Sequence, residues 1–136
     1  MAGMDFEPTL RRRVYAELIA RFQAAGVQER NLRWRMLEAA HVVGQHDLRL
    51  HVHSHAAMFR LAATERDGAE AAGQLLRLAL VPLGHALGRL PAGNIGRATV
   101  NAFAPMPVSD ALRRTIAHAR DAVAAKSGRR EADGVS

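Results

Sequence analysis

The chain has 136 residues, 49% of them apolar and 4% aromatic, no cysteine, and a formal charge of +6 carried almost wholly by arginine, with Lys126 the single lysine. That length suits one domain with a real core, and the lack of cysteine excludes disulfides, thiolate metal sites and a cysteine nucleophile while fitting a cytoplasmic protein. The basic residues are spread along the chain with no aromatic-interleaved stripe, which argues against nucleic acid; the longest apolar run, Leu78 to Leu83, is too short to cross a bilayer, and no secretion signal is evident.

Abundant alanine and few β-branched residues predict an all-α fold, a small antiparallel bundle of four to five helices. Pro8 fits a first helical turn with Asp5 and Glu7 at its positive end, and Leu10, Val14, Tyr15, Leu18 and Phe22 trace an apolar stripe that stops at Gly26. Arg11, Arg12 and Arg13 point to different sides and read as solvated. After a short turn, a second helix over 31–43 returns antiparallel and stops at Gly44. Leu32, Met36, Ala40 and Val43 form one stripe on it; Trp34, Leu37, Glu38 and His41 form another, and the pattern leaves open which of them faces the third helix.

Asp47 is a good N-cap for that third helix, over 48–65, which Asp67-Gly68 ends. A fourth helix is expected from Ala69 to about Leu80, with Leu75, Leu76 and Ala79 buried and Gln74 turned inward. Pro82 to Pro107 holds four prolines and four glycines, which predicts an ordered irregular segment laid over the bundle, with Val100, Phe103 and Met106 spaced for packing. Its Gly93-Asn94-Ile95-Gly96 turn has the glycines an anion nest needs, with Arg97 adjacent, although a structural turn is the favoured reading. Ser109 and Asp110 start a last helix with Leu112, Ile116 and Val123 inward and His118 peripheral. Residues 1–127 read as one domain and 128–136 as a disordered tail.

The concentrated chemistry lies between Glu38 and His55, EAAHVVGQHDLRLHVHSH, with five of the seven histidines. Glu38 and His41 are three apart on the second helix, and His51 and His55 four apart on the third, so each pair shares a helix face. Leu48, His51, Val52, His55, Met58, Phe59 and Ala62 fall on one side of the third helix, which turns its histidine pair inward. Glu38, His41, His51 and His55 are therefore candidate ligands for zinc, iron, nickel, cobalt or copper, the ions that imidazole and carboxylate donors suit. A single Glu-x-x-His motif, where di-iron bundles use two with two further glutamates, favours a mononuclear site or one shared between subunits of a homo-oligomer.

His85 is a further candidate ligand, and Glu17 and Glu70 are candidate extra carboxylates. Two rival readings stand beside metal binding. One is a helical-hairpin module for a protein partner, its histidines structural or pH-responsive; the other is a metal-dependent enzyme, which needs an open coordination position and a nearby base. Ser54 and Ser109 sit in no nucleophile motif.

The blocks LEAAHVVGQ, HVHSHAAMF and GQLLRLAL, with GRLPAGNIGRATVNAFAPMPV, resemble a family of short bacterial proteins known as domain of unknown function 3703. The likeness runs from about Trp34 to Val108. Ile95 replaces the family's usual threonine and Ala56 a usual aromatic. The resemblance implies no established activity; members often accompany metal-resistance or mobile-element genes, which implies a lean toward metal handling. Glu38, His41, Gln45, His51 and His55 are the positions matching its histidine block.

Overall fold

A computed structural model describes residues 5–88, 94–100 and 106–134. Five helices are found among the described residues, with no strand: α1 (Pro8–Ala24), α2 (Arg30–Gly44), α3 (Leu48–Thr64), α4 (Gly68–Leu87) and α5 (Asp110–Asp133). The fold is all-α. The starts of α1, α3, α4 and α5 are fixed by side chains that accept the orphan amides of the first turn: Glu7 from Thr9 and Leu10, Asp47 from Arg49 and Leu50, Asp67 from Glu70, and Ser109 from Leu112.

The central helix is α2. Its Met36, Ala39, Ala40 and Val43 pack with Val14 and Leu18 of α1 and Leu112, Ile116 and Val123 of α5, while Trp34 and Leu37 pack with Met58, Leu61 and Ala62 of α3. Two apolar stripes on one helix thus serve two layers, and the Trp34–His41 side is the one that meets α3. Contacts between His41 and His51, and between Arg30 and Glu65, make α2 and α3 antiparallel. Arg13–Ser127 and Glu17–Lys126 contacts, with Phe6 and Leu10 beside Arg113 and Ile116, make α5 parallel to α1. Gly44 ends α2 without a positive φ. Its value is close approach, since a Cβ there would lie 2.8 Å from Leu50 Cβ and 3.0 Å from the Tyr15 ring.

Three expectations need correction. First, α4 does not stop near Leu80: it continues through Pro82 to Leu87 and ends on Gly88 at φ 65°. Proline removes its own N–H from the helix ladder and crowds the Leu78 carbonyl, and Pro82 lies on the exposed side of the helix. Second, the buried side of α4 is Glu70, Gln74, Arg77 and Val81, whereas Leu75, Leu76 and Ala79 are exposed. The helix turns its polar residues inward because backbone groups of 96–100 await them, as described below. Third, α5 runs on through residues 128–133, where composition alone predicts disorder.

Residues 94–100 form no regular helix or strand and lie against α4; Gly73 permits this, because a Cβ there would come 2.3 Å from Ala98 Cβ. Val100 and Met106 are half-buried. Gly93, and Phe103 with its expected packing, lie outside the described residues.

Candidate metal centre

His41, near the end of α2, and His51 and His55, one turn apart on α3, converge in the space that α4 and residues 94–100 close. They are 3%, 6% and 2% exposed. One ring nitrogen from each lies within 4.8 Å of the others, and His41 Nε2 is 3.1 Å from His51 Nε2. A tetrahedral ion with metal–nitrogen bonds of 2.0–2.1 Å holds its donors about 3.4 Å apart. The His41–His51 pair is already near that spacing, and a His55 nitrogen lies within 4.8 Å of both.

The other ring nitrogens explain why the rings stand as they do. His41 Nδ1 is 2.7 Å from the Asn94 carbonyl, which can only accept, so His41 carries its proton on Nδ1 and a lone pair on Nε2. Gln74 donates its amide to Glu70 Oε1 (2.8 Å) and to the Gly96 carbonyl (2.9 Å), which leaves its oxygen to accept from His55 Nδ1 at 2.7 Å. His55 Nε2 is thereby the lone-pair nitrogen. His51 Nδ1 lies 3.0 Å from Nε2 of the half-buried His85. In the metal-free protein His51 Nε2–H donates to His41; with its proton moved to Nδ1, where His85 accepts it, His51 offers a third lone pair to the same point. Each ring thus has a fixed partner behind it, the arrangement that orients histidine ligands in metal sites.

Gly96 is shaped by this centre. Its φ is 80°, and a Cβ would fall 2.8–2.9 Å from the His41 ring. Its N–H donates to Asn94 Oδ1 at 2.9 Å, which turns the chain so that the Asn94 carbonyl faces His41 and the Gly96 carbonyl faces Gln74. The amide is used inside the turn and does not point toward an external anion. Arg97 is likewise engaged internally: its guanidinium stacks 3.7 Å over Trp34 and pairs with Glu38 Oε1 (3.1 Å) and Glu70 Oε1 (3.2 Å).

The sequence-derived ligand set is therefore split. His41, His51 and His55 meet; Glu38 does not join them, because the three-residue step from His41 leaves it about 60° around α2, on the side of Trp34 and Arg97. Burial raises the Glu38 carboxyl, with Arg97 opposing. His85 stands behind His51 in place of completing the cluster. Glu17 pairs with Arg21 and Lys126 on the far side of α1, and Glu70 also accepts the Ala98 N–H at 3.0 Å. Gln45 is buried, with Nε2 3.4 Å from the His46 ring. Sequence reasoning missed Asn94, Gly96 and Arg97 as parts of one assembly; Gln74, a polar residue on an otherwise leucine-rich helix, was the available signal.

Burial is the first cause that holds all three imidazoles neutral. It lowers His41 well below the ordinary 6.5, helped by His55 and His51 and opposed by the Asn94 bond. It takes His51 to about 3, with His55 and His85 adding, and His55 to about 4 against the Gln74 bond. Neutral imidazoles are what a cation requires. The sign for stability follows: the unfolded chain binds protons below about 6.5 and the folded chain does not, so metal-free stability is full above that pH and falls as the pH drops toward 4. Urea midpoints measured with chelator at pH 7.5, 6.0 and 5.0 should decline; a rise between 6.5 and 5 would contradict the neutral assignment.

The family model described as "Protein of unknown function (DUF3703)" matches residues 9–116. No curated protein and no solved structure matches the chain. No described helix is long and apolar enough to cross a membrane.

Proposed function

The chain belongs to the DUF3703 family of proteins of unknown function, and on that footing we propose that it binds a divalent transition-metal ion through His41, His51 and His55, in a metal-handling role. The observation that carries this reading is the set of partners behind the rings: the Asn94 carbonyl and Gln74 oxygen accept the Nδ1 protons of His41 and His55, and His85 stands where it can accept that of His51 once Nε2 is freed, so three Nε2 lone pairs can face one point. A hydrogen-bonded core histidine does not need two others to present the same nitrogen beside it.

Three neutral nitrogen donors suit zinc, iron, nickel, cobalt or copper, and they leave a coordination position for water or a small exogenous ligand. We place Glu38 outside the ligand set, held by Arg97. An enzymatic role would draw on that open position. It lacks an evident base, since Glu17, Glu38 and Glu70 are all committed to arginine or lysine.

Cobalt(II) titrated into chelator-treated full-length protein should bind at one equivalent with visible ligand-field bands, absent from His55→Ala. No bands, and no uptake of any of the five ions, would overturn the proposal. His85→Leu should keep the triad and weaken binding about 10- to 100-fold in competition with a chromophoric chelator, the usual effect of losing such a supporting partner. Unchanged affinity would remove His85 from the site.

A further inference from the structure

The outward face of α4 is the wrong way round for a monomer. Leu75, Leu76, Leu83 and Leu87 are each more than half exposed, and Ala72, Ala79, Pro82 and Ala86 are exposed among them, while the inward face is Glu70, Gln74, Arg77 and Val81. Between Ala71 and Gly88 the only ionisable residues are Arg77, which is buried, and His85, half-buried against His51. The outer face therefore carries no charge over its whole length. Among the described helices only α3 packs substantially against α4, and residues 94–100 lie against its inward side.

The pattern on this face is regular. Ala72, Ala79 and Ala86 recur every seven residues, and Leu76 and Leu83 share the same interval. A seven-residue repeat keeps one seam facing one partner helix, and alternating small and large residues let two such seams interdigitate at short range. When two copies run antiparallel about a two-fold axis at Ala79, Ala79 meets its own copy and Ala72 meets Ala86, so the small residues let the two helices approach while the leucines pack on either side. A 20-residue helix is about 30 Å long, and two such faces in contact reach the lower end of stable interfaces, about 1,200 Å² in total. Isolated exposed leucines need no explanation; a continuous charge-free seam does. The charge supports a like partner: a chain of formal charge +6 brings two copies together with least repulsion through a face that bears none.

We infer that α4 is the interface of a homodimer, two copies meeting antiparallel along Ala72–Leu87. A closed two-fold contact of this kind uses one patch on both partners. Because Gln74 and His85 lie on the opposite side of the same helix, the interface would form a floor beneath the metal centre without contributing a ligand.

Sedimentation equilibrium of the full chain should return twice the 14.8 kDa chain mass. The Leu76→Glu/Leu83→Glu variant should sediment as a monomer, with its dissociation constant raised at least 100-fold and its helical circular dichroism unchanged, since neither leucine is buried in the protomer. Ala79→Cys, at the centre of the seam in a chain with no other cysteine, should cross-link under mild oxidation, whereas Ala63→Cys on exposed α3 should not. A monomeric wild type at 100 μM, or a dimer unaffected by the double substitution and not trapped by Ala79→Cys, would overturn the inference. So would a monomer that binds phosphatidylglycerol vesicles through these leucines, which would make the face a lipid contact.

Discussion

Replacing both α3 histidines should abolish metal retention and the stability that accompanies it. Tag-free protein purified without chelator is expected to hold close to one ion per chain by elemental mass spectrometry, and His51→Ala/His55→Ala to hold none. The thermal consequence is large. An ion that binds only the folded state at 100 times its dissociation constant adds about 2.7 kcal/mol, which for a chain of this size corresponds to roughly 10 °C in Tm. Added metal should raise the wild-type Tm by that order and leave the double variant unmoved. If zinc, iron, nickel, cobalt and copper all fail to shift the wild type, the histidines are structural and α4 becomes the main functional feature.

Arg97→Met is expected to be the most damaging single change away from the histidines. Arg97 is the shared counter-ion of Glu38 and Glu70; their side chains are 20% and 2% exposed, and its own 17%. Removing one partner of a buried pair strands the other charge and costs about 3–5 kcal/mol. Here two carboxylates are stranded, and methionine keeps the apolar contact with Trp34 while deleting the charge, so the loss reports on electrostatics. Urea unfolding should show a fall of that size, partly restored by adding Glu38→Gln, with the coupling read from the double-mutant cycle. Because Arg97 follows Gly96 directly, the variant should also loosen the segment that orients His41 and Gln74, and so weaken metal binding. A loss below about 1 kcal/mol would mean the network is dispensable.

The helices were legible where a local rule had no competitor. Asp47 and Ser109 cap what they were expected to cap, and the stripe Val14, Leu18 on α1 and Leu112, Ile116, Val123 on α5 are buried as their spacing predicts. The inward turn of His51 and His55 was also readable, since Met58 and Ala62 share their face and are buried, but Leu48 and Val52, expected on the same stripe, are exposed at its edge. α4 misled for a physical reason: periodicity marks two faces but does not say which is inside, and the assumption that leucines choose the core fails when the polar face is satisfied by other buried groups. Gln74, Glu70 and Arg77 find Gly96, Ala98 and Val100 there, all far along the chain. Glu38 was misplaced because the three-residue rule makes neighbours without fixing where either points, and the decisive partner, Arg97, is 59 residues away. The same distance hides the roles of Asn94 and Gly96.

The order of these parts along the chain has a consequence during synthesis. All three imidazoles are synthesised by residue 55, whereas the groups that set their tautomers follow later in the chain, at Gln74, His85 and Asn94. An unfinished chain offers histidines whose rings are free to turn and to protonate, and at the proposed site it would be a looser and less discriminating binder than the completed protein. Any selectivity of the proposed site for an ion would thus depend on residues 94–97, which lie against α4 and hold His41 in place.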